Sequence, residues 1–346
     1  MIKKGSIMFY GLISLNRVFS ILYHMVFFLP FSREQHASIK ATYAYYRNID
    51  KLQATRVDLR RNVHRIEKGL SMKKVRKTFA FSYIEETIES YMFAVQQYLN
   101  NPEFIDVNEL YWAHDVLEMY FQAVELGKSK QYLKDTFLEL NGKLQNMEKE
   151  KESSTMRPFL ASERHQSQVS YDDFLALAKQ RRSVRWFQGK PVPRELIDKA
   201  ILAARESPSA CNRLPYEYKV FDDAELVKQV SHIPFGAKGY ADNIPVVVVL
   251  VGKLSHFFSP RDRHIIYIDA SLSAMSFMFA LETLGLSSSV INWPDFEPLE
   301  ITMQHKLKLQ VDERPIMLIA VGYADPKGKI PYSQKKDLKI LRTYNN

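Results

Sequence analysis

A single cysteine, Cys211, stands in a chain of 346 residues, so no internal disulfide can form and a reducing compartment is the simpler expectation. The same scarcity excludes structural zinc sites built on several thiolates. Glycine is sparse too, at 12 residues, and neither GxGxxG nor GxxxxGKS/T occurs, which removes the common glycine-rich phosphate loops. The nine histidines lack the paired helical spacing of metal ligands and read as structural or surface residues, so no metal site is expected. No Ser-His-Asp arrangement is evident either.

What is present is an ordinary globular composition, 46% apolar and 25% charged, of a length that suits two or three domains. The formal net charge is +9. It is shared by both halves of the chain, so neither is a basic tail. Within the first half, Arg56 to Lys77 concentrates nine basic residues against Asp58 and Glu67. That segment reads either as a solvated helix face followed by a turn or as an anion-binding surface for phosphate, lipid headgroups or RNA. Because the charge is local, nucleic acid is not an expected partner.

Residues 8–30 are rich in Leu, Ile, Val, Phe and Tyr after Lys3 and Lys4, but Asn16, Arg17 and His24 interrupt them. The stretch falls short of the roughly 18 clean apolar residues of a spanning helix. Core packing is the leading expectation, ahead of a helix on a membrane surface and then a spanning one. The localisation read from this is cytoplasmic, with peripheral membrane contact through the N-terminal segment as the associated state.

From Gln35 to about Lys149 the pattern is mostly helical. Ile84, Ile88, Tyr91, Met92 and Val95 share one helix face, and Leu110, Val116, Leu117, Tyr120 and Val124 repeat it. A polar stretch follows, so a helical domain over residues 1–147, a linker over 148–168 and a second domain over 169–346 are expected. In that second domain Ser170 and Asp173 resemble a capping box. Pro193 opens another helix, 244–251 is an apolar β-branched strand, 265–284 a buried helix and 315–321 a second buried strand. This is an α+β pattern, a central sheet flanked by helices.

Arg181, Arg182, Ser183 and Arg185 lie within five residues, and guanidinium forks match phosphate oxygens bidentately. A run of basic residues at a helix end is also an ordinary surface feature. The arginine run, then Pro191-Val192, Ala203-Ala204-Arg205, the stretch from Ser207 through Tyr216, Asp269-Ala270-Ser271-Leu272, Leu284-Gly285-Leu286 and Lys335-Lys336 together resemble the FMN-dependent nitroreductase family over about residues 171–339.

The resemblance implies a nitroreductase-like FMN-binding fold after a mostly helical N-terminal domain. Arg181, Arg182, Ser183 and Arg185 then correspond to FMN phosphate and ribityl contacts, and Lys335, with Lys336 as alternate, to the late basic residue on the same phosphate. Pro208, Ser209 and Asn212 correspond to the loop beside the flavin ring. Ser289 to Asn292 correspond to the segment at the ring N5, or else to an ordinary strand end. No catalytic acid or base is implied, because the flavin carries the redox chemistry. The implied activity is ping-pong oxidoreduction of a small-molecule substrate with NAD(P)H as donor, in a homodimer that holds flavin at its interface, with the 265–284 helix as dimer core. Leu214, Tyr216 and Met275-Ser276 depart from the family pattern, which keeps open a flavin-holding accessory or sensor protein that turns nothing over. Cys211 reads as a small buried residue before a redox thiol. Residues 60–70 resemble an extension of bacterial nitroreductase-like proteins from exopolysaccharide gene clusters, which links the chain to polysaccharide biosynthesis.

Overall fold

The computed structural model describes residues 9–10, 12–49, 51–144 and 155–345. Within the N-terminal half, helix α1 spans Arg17–Phe27, α2 Leu29–Arg47, α3 Val57–Leu70, α4 Ile84–Asn100, α5 Val107–Ala123 and α6 Gln131–Leu144. Asp106 caps α5 by accepting from the Asn108 N–H. Leu59, Val63, Ile66 and Leu70 of α3, at helical spacing, meet Ile84, Ile88 and Tyr91 of α4, Leu110, Leu117 and Tyr120 of α5, and Leu133 and Phe137 of α6. Each such side chain gains roughly 1.5–3 kcal/mol on burial. Gly69 permits the close approach of the Phe79 ring, which an added Cβ would overlap.

Helix α2 belongs to a different core. Its Ala37 and Ala41 join the hydrophobic cluster of the C-terminal half. Arg33 fastens it there through Asp295, Glu297 at 2.6 Å and Glu300 at 3.3 Å.

The C-terminal half contains α7 (Tyr171–Gln180), α8 (Arg194–Ala204), β1 (Tyr216–Phe221), α9 (Ala224–Ser231), β2 (Val246–Lys253), α10 (Ile265–Thr283), β3 (Ser287–Asn292), α11 (Glu297–Leu307) and β4 (Glu313–Gly322). Ser170 and Asp173 form the expected capping box on α7. Pro193 sits one position before its expected place, as the N-cap residue of α8. The four strands are antiparallel in the order β1-β2-β4-β3. Alternation along β2 divides its side chains: Val246, Val248 and Leu250 enter one core with α8 and α10, while Val247, Val249 and Val251 enter another with α9 and α11. This half is therefore the expected α+β arrangement, a sheet with helices on both faces.

Three expectations are revised. Helix α1 buries no residue, so the N-terminal apolar stretch is not core. Its apolar face turns outward, away from the rest of the chain. Helix α10 is buried on one face only, through Ile266, Ala270, Ala274, Phe277 and Leu281, while Ile268 and Leu272 are exposed. The wider helical stretch Pro260–Thr283 is the one among the described residues long and apolar enough to cross a membrane, and it packs on the sheet. Cys211 is half-buried, not buried, and free.

Candidate functional site

The sequence-predicted residues gather in two places. At the first, α7 ends on Arg181, whose N–H closes the helix on the Leu177 carbonyl at 3.0 Å. The chain then runs extended beside β3. Ser183 pairs with Ser288 in parallel fashion, and the Val184 N–H donates to the Ser288 carbonyl at 3.0 Å. Phe187 bridges Ala324 beyond β4. The arginine run is thus held at the edge of the sheet. Arg182 reaches the Tyr332 carbonyl at 3.5 Å, which draws the exposed segment carrying Lys335 and Lys336 to the same edge. Arg185 has a neighbour of its own, the Tyr240 ring, at 5.8 Å.

None of Arg181, Arg182, Arg185, Lys335 and Lys336 forms a salt bridge among the described residues. Ser288 and Ser289, both buried on β3, carry hydroxyls with no hydrogen-bond partner. Unpaired cations beside donor hydroxyls suit a dianionic group rich in acceptors. The residues present therefore fit a flavin phosphate. Asn292 lies exposed at the far end of β3, paired in register with Met317.

The second place is the loop between α8 and β1. Its backbone is left-handed at Cys211 (φ 54°), Asn212 (φ 51°) and Leu214 (φ 45°), none of them glycine. Such a conformation costs on the order of 1–2 kcal/mol per residue and needs external support. Asp269 of α10 provides part of it, accepting from the Ser209 hydroxyl at 2.8 Å and the Ala210 N–H at 2.9 Å. The Ser209 oxygen in turn accepts from the Leu214 N–H at 2.8 Å. Burial pushes the Asp269 carboxyl up, while the two donors and Arg213 oppose that shift. Ser207 binds Ser276 at 2.8 Å, so one of the departing positions also serves the loop. Met275 packs against the core. Pro208 is exposed at the loop's near end.

The remaining support comes from the helical half. Arg60 of α3 donates through Nε to the Asn212 carbonyl at 2.9 Å and through Nη1 to Glu109 of α5 at 2.9 Å. Its guanidinium lies over the Trp112 ring at 5.3 Å. Between the halves opens a cleft of about 490 Å³, lined by Arg60, Trp112, Met156, Arg205, Asn212 and Leu214.

The basic segment Arg56 to Lys77 is therefore not uniformly a solvated face. Arg56 is only 2% exposed and binds Asp58, Ser90 and the Ile49 carbonyl. Arg65 stacks over Tyr83 at 3.6 Å, and the exposed basic residues are Lys68, Lys73, Lys74, Arg76 and Lys77. Among the described residues no group of three or more His, Cys, Asp or Glu side chains is placed to hold a metal ion.

The two places lie apart. Glu282, which Gln180 binds next to Arg181, and Asp269 are thirteen residues apart on α10, about 20 Å at 1.5 Å per residue. The sequence patterns include Asp269 and Arg60 without giving either a site role, and Ser288 stands one residue before the expected Ser289–Asn292 segment. An acid inside an otherwise apolar helix was a usable signal for Asp269, since a buried carboxylate needs donors. Nothing local marks Arg60, whose partner Asn212 is 152 residues away.

The model of the family described as "Nitroreductase family" matches residues 178–238 and 227–323. That span runs from the helix preceding the arginine run to the end of β4. The C-terminal half carries a nitroreductase-family domain. A protein of Methanothermobacter thermautotrophicus, provisionally named NADH dehydrogenase/NAD(P)H nitroreductase, is 29% identical over 164 residues, covering 45% of this chain and 79% of its own. Iodotyrosine deiodinase of Danio rerio is 26% identical over 199 residues, covering 49% of this chain and 65% of its own. A solved FMN-dependent nitroreductase from Clostridium difficile R20291 is 24% identical, covering 50% of this chain and 99% of its own, with a TM-score of 0.43. The nitroreductase domain thus accounts for about half of the chain, and the helices before it lie outside the 178–323 family match.

Proposed function

We propose that the protein is an FMN-dependent oxidoreductase that takes electrons from NAD(P)H and passes them to a second small-molecule substrate. The observation that carries this reading is the run Arg181, Arg182 and Ser183, held at the sheet edge, its guanidinium groups forming no salt bridge among the described residues although Arg181 lies close enough to Glu282 to act on its charge. Arg181 and Arg182 would clamp the phosphate, with Ser183 and Lys335 beside them and Arg185 following. The loop of Pro208, Ser209 and Asn212 would lie along the ring, with Ser289 and Asn292 on its other side. Bound FMN would supply two-electron transfer, first accepting from the donor and then delivering to the acceptor. The chain's own part is to hold, orient and desolvate. Asp269 and Arg60 keep the ring loop in its left-handed conformation, and the cleft beside Trp112 and Leu214 gives a substrate room to approach.

The roughly 20 Å between the phosphate site and the ring loop along α10 favours a homodimer, in which one subunit's loop meets its partner's phosphate site. The exposed Ile268 and Leu272, one turn apart on α10, suit that contact. A cytoplasmic setting agrees with the single free thiol. A link to polysaccharide biosynthesis rests on the resemblance of residues 60–70 alone.

Purified protein is expected to be yellow, or to take up one FMN per chain on titration, and to bleach under anaerobic NADH or NADPH. Replacing Arg181 and Arg182 together with alanine should weaken FMN binding at least about tenfold, since each charge-assisted bond contributes roughly 1.5–3 kcal/mol. A colourless protein that binds no FMN overturns the proposal. Flavin that binds but stays oxidised under both donors identifies a holding or sensing protein instead, the reading that Leu214 and Met275 favour.

A further inference from the structure

Helix α1 is amphipathic in the inverted sense. Arg17, Ser20 and His24, at intervals of three and four residues, make one polar stripe. Ser20 and His24 of that stripe are half-buried, and with Arg17, with Ile21 and Met25 at its edge, and with Phe31, Ser32 and Gln35 of α2 the stripe lines a crevice of about 260 Å³. The His24 ring meets the Phe31 ring edge-on at 4.6 Å, and the His24 Nδ1 lies 2.6 Å from the Ser20 carbonyl. The opposite face is apolar and turned to solvent. Val18, Phe19, Leu22 and Val26 are 54–66% exposed. A soluble surface helix has the reverse arrangement, so this face is made for an apolar environment outside the chain.

Charge identifies that environment. Residues 1–33 contain no Asp or Glu, while Lys3, Lys4 and Arg17 are basic. A two-fold pairing of this segment with itself would bring like charges together, whereas an anionic lipid surface complements them. The aromatic content agrees. Phe9, Tyr10, Tyr23 and Phe27 form one ring cluster at the flank of α1, and its two tyrosines are of the amphipathic type that settles at headgroup depth. At 11 residues the helix is about 16 Å long, half the hydrocarbon thickness, so it lies in the interface plane rather than crossing it.

We propose that the Val18–Val26 face of α1 docks the protein on an anionic membrane surface. Because α2 is clamped to the nitroreductase domain by Arg33, Ala37 and Ala41, docking would hold that domain at the membrane rather than on a loose tether. The inference is independent of flavin binding.

The full chain should float with phosphatidylcholine vesicles containing phosphatidylserine, float less with phosphatidylcholine alone, and dissociate as salt is raised. Leu22→Glu with Val26→Glu places two charges on the exposed face without touching the core. It should weaken vesicle binding at least about tenfold while circular dichroism and melting temperature stay unchanged. Absence of flotation with either vesicle overturns the proposal. So does flotation that the double variant leaves intact. A double variant that instead dissociates an oligomer, in a protein that ignores lipid, assigns the face to a second copy.

Discussion

Replacing Arg60 with alanine removes the strut between the helical half and the 207–215 loop. Its side chain is 14% exposed and that of its partner Glu109 3%, so the ion pair is close to buried. Deleting one member of a buried pair typically costs 3–5 kcal/mol, because the other charge is left uncompensated. Given the residual exposure of Arg60, a loss of about 3 kcal/mol is expected, part of it from the released Asn212 carbonyl. The pH dependence has a definite sign. Burial pushes the Glu109 carboxyl above its ordinary value even with Arg60 and the Arg56 N–H opposing it. Its folded pKa therefore lies above the unfolded one, and stability falls as pH rises through the folded value. Without Arg60 that value rises further, so the variant's deficit should widen between about pH 5 and pH 8, because the unfolded carboxyl ionises near 4.3. Urea unfolding at both pH values, followed by tryptophan fluorescence, measures this. The double variant Arg60→Ala with Glu109→Gln carries no unpaired acid and should recover more than half of the loss at pH 8. If the proposed flavin site is correct, Arg60→Ala also raises the FMN dissociation constant, since the left-handed loop loses a tie. A deficit below about 1 kcal/mol that does not change with pH would refute the assigned role.

Asp269→Ala should destabilise the protein by about 2 kcal/mol and weaken FMN binding by loosening the loop, while Asp269→Asn, which keeps an acceptor for Ser209 and Ala210, should restore most of both. Thermal melts and FMN titration of the pair separate the charge from the hydrogen bond, and equal losses in the two variants would contradict the account. Gly322→Ala should cost about 1–3 kcal/mol, because its Cβ would lie 2.6 Å from Pro245 and 2.8 Å from the Phe187 ring. Denaturant titration checks it, and an unchanged midpoint would show that the Phe187 bridge does not constrain the end of β4.

Elements set by short-range rules were readable before any fold was known. The helical spacing of Ile84, Ile88, Tyr91 and Val95 needs only the 3.6-residue period, and the strand expected over 244–251, found two residues later at Val246–Lys253, needs only a β-branched run covered on both sides. The Ser170–Asp173 box is likewise local, and the arginine run and the stretch from Ser207 through Tyr216 were recognisable as short patterns in order. Tertiary structure decided what depends on distant partners. The basic segment could not be apportioned from sequence, since Arg56 and Lys73 look alike until Asp58, Ser90 and Ile49 surround the first and water the second. The left-handed backbone at Cys211, Asn212 and Leu214 has no local signature, because no glycine marks it and its support comes from Asp269 and Arg60. The same holds for α1 and α2. Periodicity shows that a helix has an apolar face, but only packing against the rest of the chain decides whether that face turns inward, as for Ala37 and Ala41, or outward, as for Leu22 and Val26.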